Sequence, residues 1–170
     1  CTECVSDQVG ANCQYSVEET TNGDGETEVL VTDTDNNYIW HGCAMGLEGM
    51  ACTGDTEYPT WAQAMEYCEN STWGGFDDWV LPTIEAVENL FVENSIDGEM
   101  DESSFPNFPD TGFWSSSFAY SSGGGGIGTP PIHEVYAYCD HCGSPYPSDV
   151  NTILPHATIC VRNIGGVSAD

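Results

Sequence analysis

Thr60-Trp61-Ala62-Gln63-Ala64-Met65-Glu66-Tyr67-Cys68 is the stretch on which the reading of the fold turns. Thr60 followed three residues later by Gln63 is a capping box, in which side chain and backbone donors satisfy each other at a helix N-terminus. Trp61, Ala64, Met65 and Cys68 then recur at helical spacing as one apolar face, which predicts a helix docked on a sheet. Downstream of the turn at Gly74-Gly75, Trp79-Val80-Leu81-Pro82 leads into a second helix capped by Thr83, with Ile84, Val87, Leu90 and Phe91 as its buried stripe. Upstream, Asn22-Gly23-Asp24-Gly25 is a strong turn signal. The β-rich run from Glu28 to Asp33 and Tyr38-Ile39-Trp40, separated by a turn-forming stretch, read as a hairpin.

Further along, residues 94–111 are acidic and turn-rich and read as a loop anchored by Phe105 and Phe108. Phe113-Trp114-Ser115-Ser116-Ser117 reads as a strand, residues 121–131 as a Gly/Pro-rich surface loop, and the runs at 135–138 and 158–162 as further strands. Two helices among short antiparallel strands make an α+β domain. Residues 1–21, with three cysteines and little periodicity, read as a Cys-rich N-terminal arm, irregular or of short strands pinned by disulfides, and residues 22–170 as the globular domain.

Composition narrows the function. With 170 residues and 39% hydrophobic content the chain can bury a core of its own. Against 28 acidic residues stands one basic residue, Arg162, for a formal charge of −27. Binding phosphates or sulfates needs clustered Lys and Arg, so nucleic acid and acidic polysaccharide are excluded as direct partners. The carboxylates are either solvated, keeping the chain soluble, or screened by a hard cation such as calcium. The nine cysteines, spread along the chain, indicate an oxidising compartment and a disulfide framework. The count is odd, and Cys1 is the natural unpaired member, as a lipidated mature terminus or a thiol used in assembly. No apolar run reaches the roughly 18 residues of a membrane span.

The order of the pieces resembles the C-terminal domain of the Legionella collagen-like protein and its relatives. The likeness runs through Val31-Thr32-Asp33 and Tyr38-Ile39-Trp40, Thr60-Trp61 with Tyr67-Cys68, Gly75-Phe76-Asp77-Asp78-Trp79-Val80-Leu81-Pro82-Thr83, Phe113-Trp114-Ser115-Ser116-Ser117 and Cys160-Val161-Arg162. Val80 stands where the family's pattern carries Arg. The resemblance implies a C-type-lectin-like α+β fold, as in extracellular, often trimeric or multidomain adhesive proteins with no established enzymatic activity. It also implies a disulfide from the first helix to the last strand, on Cys68 and Cys160. Proximity in sequence makes Cys43 with Cys52, Cys4 with Cys13 and Cys139 with Cys142 the simplest remaining pairs, other connectivities being open.

For a cation, Asp97, Glu99, Asp101 and Glu102 are the densest oxygen cluster and the first choice for calcium. Asp33-Thr34-Asp35-Asn36-Asn37 begins like an EF-hand loop, but Tyr38 and Ala44 occupy the positions that need Gly and Glu, so it reads as a hairpin turn. Cys139-Asp140-His141-Cys142 with His133 has the residue types of a zinc site but not the spacing, and disulfides are favoured there. The Trp residues at 40, 61, 79 and 114 read as core. Tyr120, Tyr136, Tyr138 and Tyr146 are the candidates for stacking on a sugar or on a neighbouring subunit. Asn70-Ser71-Thr72 is a glycosylation sequon. The function expected is a self-associating subunit of a bacterial surface fibre or pilus-like filament, the competing expectation a calcium-dependent lectin-like adhesin that binds glycans.

Overall fold

In the computed structural model the described residues are 15–96, 99–100, 103–119, 134–139, 144–152 and 154–165. They form an α+β body with two helices and two four-stranded sheets. The first sheet opens with β1 (Tyr15–Thr21), which turns through Asn22 to Gly25 into β2 (Thr27–Asp33) and then into β3 (Tyr38–His41). The Asn22 carboxamide oxygen accepts from the backbone N–H groups of Asp24 and Glu26, which fixes the first turn. In the second turn Asp33 accepts from the N–H groups of Asp35 and Asn36. The EF-hand-like stretch is therefore the tip of a hairpin whose strands pair from Leu30 with His41 to Asp33 with Tyr38.

β1 pairs with β2 along its whole length, from Tyr15 opposite Asp33 to Thr21 opposite Thr27. Residues 15–21, part of the expected N-terminal arm, are thus the outermost strand of this sheet among the described residues. The local periodicity hid this because β1 has no buried face to alternate with an exposed one: Ser16, Val17, Glu18 and Glu19, which point to both sides of the sheet, are all exposed.

Two short strands, β4 (Leu47–Glu48) and β5 (Thr53–Gly54), tie off the loop that follows β3. Helix α1 (Trp61–Glu69) has the complete capping box at Thr60 and Gln63 and buries Ala64 and Cys68. Its partners are Trp79, Leu81, Trp114, Val135 and Ala137. After a 3-10 turn at Trp73–Gly75, α2 (Ile84–Asn94) buries Ile84, Ala86, Val87, Leu90 and Phe91 in a second cluster with Val29, Val31, Trp40 and Phe113. The Thr83 hydroxyl accepts from Ala86 N–H, and Ser117 from a distant strand accepts from Ile84 N–H. Burying a large apolar side chain is worth about 1.5–3 kcal/mol, so this stripe is a main source of the helix's stability.

The stretch after α2 carries the short pair β6 (Ser95–Ile96) and β7 (Glu99–Met100) where sequence indicated a plain loop. Phe105 is fully buried, and Phe108 stacks on Phe113 at 4.7 Å. The second sheet consists of β8 (Gly112–Ala119), β9 (Glu134–Cys139), β10 (Ser144–Asp149) and β11 (His156–Ala157), in the order β10-β9-β8-β11. The last strand, β12 (Val161–Asn163), returns to the first sheet beside β3. The run 158–162, expected as one strand, enters β12 only at Val161, while His156 and Ala157 just ahead of it pair in parallel with β8, so the segment 156–163 joins both sheets in turn.

Candidate functional site

Two disulfides lie among the described residues. Cys43 and Cys52 close the loop around β4, with S–S 2.07 Å. Cys68 of α1 joins Cys160, just ahead of β12, across 92 residues and with S–S 2.08 Å. All four cysteines are buried. Cys1, Cys4, Cys13 and Cys142 lie outside the described residues, and only the backbone of Cys139 is described. Of the expected calcium ligands, Asp97, Asp101 and Glu102 lie outside the description, and Glu99 is placed by its backbone alone in β7. Among the described residues no group of three or more His, Cys, Asp or Glu side chains is arranged to hold a metal ion.

The polar groups that do meet are built into the fold. His41 is completely buried between Trp73, stacked at 4.8 Å, and Trp79, edge-on at 4.3 Å. Its Nε2 meets the Ser71 hydroxyl at 3.2 Å, and that hydroxyl accepts from Trp73 N–H. Burial holds the His41 pKa down at about 3, so the ring is neutral at physiological pH. Beside it, burial first and then the carboxylates of Glu57, Glu28 and Glu48 push the Tyr67 phenol up to about 12. Glu28 reaches across to accept from Gly74 N–H at 2.7 Å. Gly74 sits at φ +62 with a Leu30 methyl 2.8 Å from where a Cβ would stand, which confines the position to glycine.

A second histidine, His156, stacks on Trp114 at 4.1 Å. Its Nδ1 lies 2.9 Å from the Leu154 carbonyl, the geometry of an N–H donor, which leaves Nε2 to accept from the Tyr146 hydroxyl at 2.7 Å. Burial lowers its pKa, opposed in part by the Leu154 carbonyl. Neither histidine stands beside an exposed nucleophile. Sequence reading missed both rings because the partners that bury them come from distant elements.

The single basic side chain is equally committed. Arg162 donates from Nε to Asp78 Oδ1 at 2.6 Å and from Nη2 to Oδ2 at 2.9 Å, while its guanidinium lies 3.8 Å over the Phe76 ring. That hydrogen bond is the main reason the Asp78 carboxyl is held below its usual range. Val80, half exposed, pairs its backbone with Val161, so the loop bearing Asp78 lies along the outer side of β12.

Of the tyrosines expected to stack on a ligand, Tyr138 is instead buried and stacked on Phe91 at 4.5 Å, because β9 turns that position towards α2. Tyr136 packs partly buried against the core, Tyr146 is engaged by His156, and Tyr120 lies outside the described residues. Trp40, Trp79 and Trp114 are buried, and Trp61 is partly so. Asn70 is exposed at the C-cap of α1, on the rim of an open depression of about 390 Å³ lined also by Gln63, Glu66, Tyr67 and Ser71.

These features define an α+β, disulfide-stapled domain whose aromatic, histidine and arginine side chains mostly hold its own layers together. The family model described as the Lcl C-terminal domain matches residues 29–145, and the chain belongs to that family. It is a module of the kind found in collagen-like surface proteins, a structural and surface family rather than an enzymatic one. No curated protein and no solved structure matches it. The disulfides fit a secreted or surface setting, and no described helix is long and apolar enough to cross a membrane.

Proposed function

We propose that this domain is a non-enzymatic, self-associating subunit of an extracellular bacterial fibre or pilus-like filament. The observation that carries the reading is the edge strand β1. It is seven residues long, is partnered on one side only among the described residues, and follows directly on the Cys-rich stretch that opens the chain. The other described edges are less open. β10 carries Pro145 and Pro147, which cannot donate to a further strand, β11 has two residues, and β12 is covered by the Val80 bridge. A strand from a neighbouring copy adding to β1, or an intermolecular disulfide from Cys1, links one subunit to the next. Glu18 and Glu19 on β1 disfavour a partner that sets like charges opposite them. We further take the fold to be C-type-lectin-like, supported by the disulfide from the first helix to the segment entering the last strand.

Electron microscopy of native material, with non-reducing gels run with and without a calcium chelator, tests the proposal. Filaments or disulfide-linked ladders are expected. A strictly monomeric species at high concentration, with calcium present and disulfides intact, would overturn it and leave a calcium-dependent, glycan-binding adhesin as the reading to pursue.

A further inference from the structure

We infer that Asn70 is the acceptor of an N-linked glycan. Asn70-Ser71-Thr72 is the one Asn-x-Ser/Thr triplet in the chain. A sequon in a folded surface protein is usable only if the asparagine carboxamide and the hydroxyl two residues on are both accessible, and the α1 terminus presents them that way. Asn70 closes the helix through its backbone N–H, which donates to Glu66 and Cys68 carbonyls, and its side chain is exposed. Ser71 turns inward, its hydroxyl held between the buried His41 ring and Trp73 N–H. Thr72 is exposed again, and its hydroxyl makes no capping bond to the 3-10 turn it precedes.

The inward middle residue thus leaves both recognition groups outward and unengaged by other described residues. Their surroundings suit a sugar. The adjoining depression of about 390 Å³ offers the partly exposed Tyr67 ring with the Gln63 amide and the Glu66 carboxylate, an apolar surface rimmed by hydrogen-bonding groups. The Cys68–Cys160 bond and the buried His41 hold this turn in one geometry, so the attached sugar would lie along the exposed side of α1.

The donor is a glycan carried on a lipid diphosphate. A bond forms between Asn70 Nδ2 and the anomeric carbon of the first sugar. The anomeric C–O bond to the diphosphate breaks, with its electron pair leaving on the lipid diphosphate, and one Nδ2 proton is released to that leaving group or to solvent. The inference is independent of whether the subunits polymerise.

Cleavage after acidic residues of protein isolated from the cells that make it yields the cysteine-free peptide 70–77, since Glu69 precedes it and Asp77 ends it. Mass spectrometry is expected to show this peptide carrying at least one sugar, with the unmodified form a minor species. Expressed in the same cells, Thr72→Ala loses the added mass and Thr72→Ser keeps it, neither change removing a described side-chain contact. An unmodified peptide in native material, or an added mass that survives Thr72→Ala, would overturn the assignment, the latter by placing the sugar on a hydroxyl.

Discussion

His41 shows how strongly one residue's chemistry is set by its neighbours. Enclosed by Trp73 and Trp79, the ring cannot accept a proton until about pH 3, whereas in the unfolded chain it does so near 6.5. Its folded pKa is depressed, so its contribution is fully present above the unfolded value and is lost as pH falls towards the folded one. Between pH 7.5 and 5 this costs the protein about 2 kcal/mol. His41→Gln keeps an amide for Ser71 but does not titrate. Denaturant melts of both proteins at the two pH values are expected to show the wild type losing that much more than the variant, the carboxylates and His156 being common to both. A gap that does not change with pH would sink the argument. Arg162 makes the second prediction at this scale. Replacing it by Met keeps bulk over Phe76 but removes the fork to Asp78, and should lower stability by about 1 kcal/mol, less at high salt, since ion pairs with an exposed partner are weak. An unchanged stability at low salt would show that the pair contributes nothing.

At the scale of elements, the two disulfides differ in what they constrain. Chain-entropy reasoning gives about 4.6 kcal/mol for the link across 92 residues and about 2.6 kcal/mol for the link across nine. Replacing Cys68 and Cys160 together by Ala should therefore lower the melting temperature well beyond the paired change at Cys43 and Cys52. Equal losses would mean that local packing, not chain constraint, sets the contributions. Both helices were legible in sequence because a cap and a 3.6-residue stripe are local signals that survive without tertiary context. β10 was not, since Ser-Pro-Tyr-Pro-Ser-Asp has the composition of a loop and is held as an edge strand by its ladder with β9 and by the contacts of Tyr146 and Ser148 with His156, all tertiary. Nor was the double use of residues 156–163, which depends on where two sheets lie relative to each other. The same division runs through the candidate site. The sequon was plain in the sequence, but the inward turn of Ser71 and the Arg162–Asp78 contact, 84 residues apart, arise only from packing.

At the scale of the whole molecule, a charge of −27 repels itself at every separation shorter than the screening length, and the one cation is already paired. That length falls from about 30 Å at 0.01 M salt to about 8 Å at 0.15 M, so sodium chloride alone should raise the melting temperature over this range. Self-association through β1 should strengthen with it, because joining two such bodies sets like charges against each other. Calcium discriminates between diffuse screening and a site. Diffuse screening alone predicts that calcium at matched ionic strength raises the melting temperature no further than sodium does. An excess that Asp97→Asn, Glu99→Gln, Asp101→Asn and Glu102→Gln together abolish would instead assign the acidic stretch after α2 a bound ion, and with it the footing that a calcium-dependent adhesin requires.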